Sequence, residues 1–282
     1  IMSNSPYKNI YRSLIISSDR VESIIQNKYI KAISLTGSDE AGSAVAMQAG
    51  KEIKKTVLEL GGSDPFIVLD DADIDKASKI AVMARFFNTG QSCIAAKRFL
   101  VHHGVYDEFI NKVNARMDSL VVGNALDENT QIGPLAKKEF SEELNLMVQS
   151  SINDGAICLK GGGFKDCYYM PTLLIDVTED MSVFKKETFG PIFCVTKIRD
   201  VEDAIRLANK SDYGLGGSLW SSNIDLAKDI ARRVNTGAVF INDMTKSDPR
   251  LPFGGINKSG YGVELSKYGI KEFVNMKTMV IN

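Results

Sequence analysis

One cysteine has surroundings that suit a nucleophile. Cys93 lies in the loop sequence NTGQSCI at 88–94, where glycine and small polar residues separate a predicted helix from a predicted strand. A thiol in such a loop, rather than within an apolar run, is a candidate nucleophile. A lone cysteine is also commonly a small buried apolar residue. The loop by itself therefore leaves two interpretations open, a reactive thiol and a structural one.

A carboxylate, Glu59, interrupts the apolar strand end LELGG at 58–62. Burial of a carboxylate is costly unless the group is paired or has a raised pKa. A raised pKa is also what a general base needs in order to work near neutral pH. Glu59 is thus a candidate general base, and the alternative is a strand-end glutamate whose carboxylate reaches solvent.

A possible anion site follows the predicted strand AISL at 32–35. Gly37 and Ser38 open the turn GSDEAG at 37–42, which leads into a predicted helix. Glycine at a strand–helix turn lets backbone N–H groups face an anion at the positive end of a helix. The segment lacks the GxGxxG spacing of dinucleotide-binding loops. A phosphate site and an ordinary turn both remain open.

The other cysteines and both histidines carry weaker signals. Cys158 and Cys194 lie in apolar strands, and Cys167 lies in a loop. His102 and His103 end a strand among surface-type residues, which favours a solvated pair over a general base or metal ligand. The sequence has no CxxC pair and no Cys–His spacing typical of zinc, so no metal site is predicted.

Composition narrows the function classes. The 282 residues include 34 Lys+Arg and 35 Asp+Glu, and the sequence pI is about 6.2. This charge balance argues against nucleic-acid binding. No run of about 18 apolar residues predicts a membrane span, and the first residues do not resemble a signal peptide. The cysteine usage fits a reducing compartment, so we expect a cytoplasmic location.

Strands and helices alternate along most of the chain. Apolar periodicity predicts short strands separated by helices, and this pattern indicates βαβ units, a mostly parallel sheet and the α/β class. A strand is also predicted at 13–17, before a helix at 21–26 that Asp19 would cap. The last segment, Lys271–Ile281, alternates like an exposed edge strand. It would pair either with another subunit or with its own domain.

Four motifs, in order, resemble those of the aldehyde dehydrogenase superfamily. They are LELGG at 58–62, FNTGQSC at 87–93, ETFGPI at 187–192 and PFGGI at 252–256. The similarity extends from about Ser13 to Asn282. The segments AAKR at 95–98, SDPR at 247–250 and ELSKYG at 264–269 are most similar to the succinate-semialdehyde dehydrogenase branch.

The resemblance implies two catalytic roles. Cys93 would attack the aldehyde carbon as a thiolate, with its own N–H as one oxyanion donor. Glu59 would activate the water that hydrolyses the resulting thioester. A thiolate near pH 7 requires a depressed pKa, which the charge of the nearby cofactor and the backbone dipoles would supply.

The resemblance also implies a cofactor site for NAD or NADP, with the choice between them left open. Ser38 would contact the cofactor pyrophosphate, and Gly37 would allow its close approach. Glu187 would hold the nicotinamide ribose, and Phe189 would pack beside the nicotinamide.

For the substrate, the resemblance implies that Phe87 and Phe253 line an aldehyde channel. Some semialdehyde dehydrogenases place an arginine at the position of Phe87 to bind the substrate carboxylate. Here Arg250 is the candidate cation instead. The expected substrate is succinate semialdehyde, and the alternatives are glyceraldehyde or a general aliphatic aldehyde.

The implied organisation has three parts. A partial Rossmann-type NAD(P)-binding domain would cover residues 1–60, an α/β catalytic domain 61–255, and a return segment with an oligomerisation strand 256–282. Family members carry a further N-terminal portion with a second oxyanion donor and a lysine for the adenosine ribose. We therefore expect this chain alone to bind NAD(P) poorly and turn over slowly. The expected partners are an aldehyde, further copies of the chain bound through Lys271–Ile281, and, as one option, a separate N-terminal half. The alternative function is a non-catalytic oligomerising module.

Overall fold

The computed structural model describes residues 10–282, in which helices and strands alternate. The strands are β1 (Ala32–Thr36), β2 (Lys55–Glu59), β3 (Asp64–Val68), β4 (Ala96–His102), β5 (Ile157–Lys160), β6 (Phe164–Lys165), β7 (Tyr168–Tyr169), β8 (Thr172–Ile175), β9 (Ile192–Ile198), β10 (Ser218–Trp220), β11 (Phe240–Ile241) and β12 (Gly260–Tyr261). The helices are α1 (Val21–Gln26), α2 (Asp39–Lys51), α3 (Ile74–Phe86), α4 (Tyr106–Met117), α5 (Lys138–Asn153), α6 (Ser182–Lys185), α7 (Val201–Ala208), α8 (Ile224–Arg233) and α9 (Ser266–Gly269). Short 3-10 helices cover Ser18–Arg20, Phe87–Gly90, Asn257–Ser259 and Ile270–Phe273.

The larger sheet has seven strands in the order β11-β10-β3-β4-β9-β8-β5. All of its pairings are parallel except that of the edge strand β5 with β8. The predicted α/β class with a mostly parallel sheet is therefore confirmed.

Both faces of this sheet are buried. Along β3, Phe66 and Val68 pack on one side against residues of α3 and α4, whereas Ile67 packs on the other side against residues of α5, α7 and α8. Successive side chains of a strand point to opposite faces, so a strand with two covered faces is apolar throughout. On the first face, the rings of Phe99 and Phe193 stack with their centroids 3.6 Å apart. Because an apolar core covers each face of the sheet, the ends of its central strands are held in place.

The smaller sheet has the order β1-β2-β12, with β1 parallel and β12 antiparallel to β2. Its own cluster of buried apolar side chains comprises Ile25, Val45 and Ala49. β2 is the central strand and is buried over its last four residues, ending at Glu59. The return of the chain as β12 places residues 260–261 beside that glutamate.

The structure corrects three local predictions near the termini. Residues 11–17 and 274–282 are exposed and form no strand, so the predicted strand at 13–17 is absent and Lys271–Ile281 does not pair with a strand of its own chain. A strand needs a neighbouring edge to satisfy its backbone groups, and neither segment has one within the described residues. Asp19 does not cap α1; its carboxylate accepts a hydrogen bond from Ser17 Oγ. No helix within residues 10–282 is long and apolar enough to cross a membrane.

Candidate active site

The loop that carries Cys93 connects α3 to β4 through a tightly held turn. Asn88 and Thr89 adopt left-handed backbone conformations with φ of 51° and 59°. Such conformations cost free energy in residues other than glycine and persist only where contacts fix them. Here Asn88 Nδ2 donates to Gln91 O at 2.9 Å, and Gly133 N donates to Thr89 Oγ1 at 3.0 Å. The turn therefore delivers a half-buried Cys93 in one defined position.

Several predicted site residues line one cleft of about 600 Å³. Cys93 and Ser92 come from the loop before β4, and Gly37 and Ser38 come from the turn before α2. Further parts of the wall come from Glu187 and Phe189, in the segment between α6 and β9, from Leu60 and Gly61, and from α5. Residues from five parts of the sequence thus meet around the thiol.

Glu59 lies behind this cleft, buried at the end of β2, and its carboxyl group is close enough to the thiol of Cys93 for each to shift the pKa of the other. Burial raises the pKa of the carboxyl group above its ordinary value, and the negative charges of Glu264 and Glu187 raise it further. The interactions with Cys93 and Thr36 oppose that shift. Among the described residues, Oε1 of Glu59 is buried without a hydrogen-bond partner. A raised pKa and a free acceptor oxygen suit a base that binds water.

The protein's own groups do not depress the pKa of Cys93. Burial and the interaction with Glu59 raise the pKa of the thiol to about 12, and the positive charge of Lys97 only partly opposes this. A thiol and a carboxylate side by side cannot both carry a negative charge cheaply, so the pair holds a proton at neutral pH. The free thiolate forms as this proton is lost to solvent at higher pH, and Glu59 is the nearest group that can accept the proton while Cys93 bonds to a substrate.

A glycine after Glu59 allows the cleft to close around the thiol. A Cβ on Gly62 would lie 2.6 Å from the backbone oxygen of Cys93, which is too close for any other residue unless the loop moves. A Cβ on Gly61 would meet only the end of the Glu187 side chain, which can shift. The Gly62 N–H also donates to Glu187 Oε1 at 3.0 Å. Gly62 is thus the glycine of the LELGG segment that close approach requires.

Lys97 is a residue of this site that sequence reasoning missed. Its side chain is fully buried, and Nζ donates to the backbone oxygens of Ser92, Cys93 and Ala95 at 3.0, 2.9 and 3.2 Å. Nζ also lies 3.2 Å from Glu187 Oε1. The sequence does contain a signal for it, a lysine within the apolar strand AAKRFLV. Lysine is almost never fully buried unless it is paired, so a lysine there predicts a partner.

The cofactor side of the cleft is built on the N-terminus of α2. Ser38 caps this helix, and its Oγ accepts a hydrogen bond from Ala41 N at 3.2 Å. The free N–H groups and positive dipole at a helix N-terminus favour an anion such as a phosphate. A Cβ on Gly37 would make only ordinary contacts at 3.8 Å, so within the protein nothing requires glycine there. These groups, with the Glu187 carboxylate for hydroxyls and the Phe189 ring, fit a nicotinamide dinucleotide.

The predicted substrate residues lie apart from one another. Phe87 borders a second cavity of about 280 Å³, which Ser92 separates from the main cleft. Arg250 is an exposed side chain paired with Asp248 at 2.6 Å, and neither it nor Phe253 lines either of these two cavities. Besides Ser92, the polar residues of the second cavity are Thr245, Lys246 and Ser247, and sequence reasoning assigned none of these three a role at the substrate.

Comparison with known proteins agrees with this geometry. The sequence matches the aldehyde dehydrogenase family over residues 12–279. It is 46% identical over 277 residues to an NADP(+) succinate-semialdehyde dehydrogenase of Mycobacterium leprae, covering 97% of this chain and 61% of the relative. It is also 46% identical over 272 residues to an aldehyde dehydrogenase of Paenarthrobacter nicotinovorans, covering 95% of this chain and 59% of the relative.

Solved structures show the same fold. A succinic semialdehyde dehydrogenase from Streptococcus pyogenes, in complex with NADP+ as the cofactor, superimposes with a TM-score of 0.91 at 40% identity. The match covers 95% of this chain and 60% of that one. The chain thus spans about 60% of the length of the relatives it matches.

Proposed function

The chain belongs to the aldehyde dehydrogenase family, and we propose that it carries the site at which succinate semialdehyde is oxidised to the carboxylic acid with NADP+. The observation that carries this proposal is the buried Glu59 directly behind the cleft that Cys93 lines, close enough for each group to shift the pKa of the other. A nucleophile paired with a base is the arrangement that covalent catalysis requires.

The reaction divides into an oxidation and a hydrolysis. Sγ of Cys93 bonds to the aldehyde carbon while the thiol proton passes to Glu59, which gives the anion of a thiohemiacetal. A bound nicotinamide dinucleotide would supply the oxidant for that carbon, which would become a thioester of Cys93. Glu59 releases its proton to solvent before the hydrolysis. A water molecule then loses a proton to Glu59 and bonds to the thioester carbon, the carbon–sulfur bond breaks, the acid leaves, and Cys93 regains a proton from Glu59.

The raised pKa of Glu59 supports this dual use. A carboxylate with a pKa nearer to neutrality is a stronger base at working pH than an ordinary glutamate. Its position next to Cys93 lets one group serve both steps, first as proton acceptor from the thiol and later from water. The cofactor would lie along the cleft, with its pyrophosphate at Ser38, its ribose at Glu187 and its nicotinamide beside Phe189.

The choice of NADP+ and of this aldehyde rests on the relatives, because two of them are described as succinate-semialdehyde dehydrogenases with NADP(+). The second cavity adds a physical argument. It is largely apolar, with Phe87 and Met244 in its wall, and it carries one cation, Lys246, whose side chain is paired with Asp243. We assign the substrate carboxylate to Lys246 and Ser247 rather than to the exposed Arg250.

Protection of the thiol tests the proposal without needing turnover. We expect succinate semialdehyde to protect Cys93 from iodoacetamide, because a thiohemiacetal removes the free thiol, while Cys158 and Cys167 continue to react. Peptide mass spectrometry after alkylation measures each cysteine separately. Equal labelling of Cys93 with and without aldehyde would contradict the proposal and favour the non-catalytic oligomerising module.

The assignment of Lys246 has a matched control in Lys228. Both lysines are about half exposed and pair with an aspartate three residues earlier. Lys246→Met should weaken the protection by succinate semialdehyde about tenfold, since a hydrogen-bonded charged contact contributes roughly 1.5–3 kcal/mol. It should leave protection by butyraldehyde, which has no carboxylate, unchanged. Lys228→Met should change neither, and a tenfold loss with Arg250→Met instead would return the carboxylate to Arg250.

Two further expectations remain proposals. A reducing, cytoplasmic compartment suits a thiol that must stay reduced to act as a nucleophile. Association of copies through Lys271–Ile281 would give that exposed segment the neighbouring edge that it lacks within one chain.

A further inference from the structure

The contacts of Lys97 all converge on one small part of the molecule. Three of its four acceptors are backbone oxygens of the loop around Cys93, and the fourth is Glu187 on the facing segment. An ammonium group has three N–H donors, so the side chain is fully engaged. Lys97 itself does not line the cleft, which places its charge on the interior side of the loop.

The bond to the Ser92 oxygen has a geometric consequence for Cys93. The chain has no cis peptide bond among its described residues, so the C=O of Ser92 and the N–H of Cys93 point in opposite directions. Because the C=O points to the buried Lys97, the N–H points away from the interior. Among the described residues, no backbone acceptor takes the Cys93 N–H. The N–H is therefore free to bind a developing oxyanion.

We propose that Lys97 is a positioning residue, which holds the Ser92–Cys93 peptide so that the Cys93 N–H faces the carbonyl oxygen of a bound substrate. The inference rests on the proposed role of Cys93 as nucleophile. Lys97 touches neither substrate nor reacting atoms in this account; it acts through the orientation of the loop. The pair with Glu187 ties the same orientation to the residue that would hold the cofactor ribose.

Two reagents separate this role from a general effect on the thiol. In alkylation by iodoacetamide, the thiol loses its proton to solvent, the thiolate Sγ of Cys93 bonds to a CH₂ carbon and iodide leaves, so no oxyanion forms at the reacting carbon. In acylation by p-nitrophenyl acetate, Sγ bonds to the ester carbonyl carbon, p-nitrophenolate leaves and the thiol proton passes to Glu59. The second reaction develops negative charge on oxygen and requires the Cys93 N–H.

The test compares the ratio of the two rates at Cys93 in the parent chain and in Lys97→Met. Loss of one oxyanion donor typically costs about 10²–10³-fold in rate. We therefore expect acylation to fall about 100-fold, and alkylation to fall much less, through the loss of a nearby positive charge. The ratio of acylation to alkylation should drop at least about tenfold.

Arg98→Met is the matched control. Arg98 is the next residue along β4, is equally buried, and also donates to three backbone oxygens, those of Ser63, Leu207 and Ala208. Its loss removes a buried cation and leaves carbonyl groups unpaired without touching the loop around Cys93. The ratio of rates should stay within about threefold of the parent, whatever the loss of stability.

The buried Cys194 reports unfolding in the same samples, because it reacts with iodoacetamide only if the core opens. If Lys97→Met exposes Cys194, Lys97→Gln is measured in the same way, since an amide retains two N–H donors of lower strength and should reduce the ratio less. An unchanged ratio with Cys194 protected would overturn the role of Lys97. Acetylation of the parent chain at a residue other than Cys93 would instead contradict the proposed function.

Discussion

The two sheets hold the two halves of the site in different ways. Cys93 precedes β4, which lies in the middle of a seven-stranded sheet with an apolar core on each face. Glu59 ends β2, in a three-stranded sheet whose own cluster has three buried apolar residues. The nucleophile is therefore fixed by the main core of the molecule, whereas the base depends on a smaller unit.

One serine joins the two sheets where the site lies. Ser259 Oγ donates to Gly61 O at 2.7 Å and accepts from Gly214 N at 3.0 Å, and Leu60 N donates to Ser259 O at 3.0 Å. Gly61 and Leu60 follow β2, and Gly214 precedes β10. The distance between Cys93 and Glu59 therefore depends on how the two sheets are joined. Small changes in the smaller sheet should alter the chemistry of the site before they alter the stability of the whole chain.

The largest expected effects come from a matched pair of leucine substitutions. Leu100→Ala in β4 and Leu58→Ala in β2 both remove a buried leucine. Leu100→Ala should lower the free energy of unfolding by about 2–5 kcal/mol, as is usual for a core cavity, and leave Cys93 alkylation of the folded chain unchanged. Leu58→Ala should lower the free energy of unfolding by less. It should nevertheless change the rate of Cys93 alkylation, because Glu59 is the next residue. Urea denaturation and cysteine labelling measure both; the reverse pattern would break the comparison.

Glu59→Gln should have a smaller effect on the rate of Cys93 alkylation. It should raise this rate, whereas most active-site substitutions lower the rate of a reaction at the site. The interaction with Glu59 raises the pKa of Cys93, so the neutral amide should lower that pKa and accelerate alkylation at pH 8 about threefold to tenfold. Below its pKa the thiolate fraction grows about tenfold per pH unit. In the parent chain, alkylation of Cys93 should therefore keep rising through pH 10, consistent with a pKa of about 12. A plateau near pH 9, or slower alkylation of the variant, would contradict this coupling.

The smallest effect is expected for removal of residues 274–282. These residues are exposed and belong to no helix or strand. Their loss should change the free energy of unfolding of the monomer by less than about 0.5 kcal/mol, as for surface changes away from packed contacts. Light scattering on the same samples tests whether copies associate through this segment. A loss of several kcal/mol in a dilute monomeric sample would show that the segment packs on its own chain.

Local signals explain which parts of the fold could be predicted. The helix predicted at 21–26 is α1, with the same bounds. An aspartate before an apolar periodic run is such a signal at α3, where Asp73 Oδ1 accepts from Lys76 N at 3.0 Å. Short strands such as β10 and β12 were missed, because two or three residues carry no readable period and their pairing comes from distant parts of the chain.

The candidate site likewise contains residues that local motifs predict and residues that only the fold identifies. The motifs around Glu59 and Cys93 are local, and the resemblance placed both residues before their contact was seen. The protein's own groups raise the pKa of Cys93, because that pKa depends on burial and on a neighbour far away in sequence, and the depression expected from the cofactor charge stays a prediction. Lys97 resembles an ordinary strand residue until the fold brings Glu187 to it. Lys246 and Arg250 are both positively charged, so the sequence does not show which of them would face a substrate. Only the fold distinguishes them, because Lys246 lines the second cavity and Arg250 does not.

The most direct test of the Cys93–Glu59 pair is the lifetime of an acetyl group on Cys93 after a pulse of p-nitrophenyl acetate. We predict that the parent chain loses the acetyl group with time and that Glu59→Gln retains it about 10²–10⁴-fold longer, because removal of a general base typically costs that factor. Peptide mass spectrometry locates the acetyl group and follows its loss. Equal lifetimes in the two proteins would show that Glu59 does not activate water.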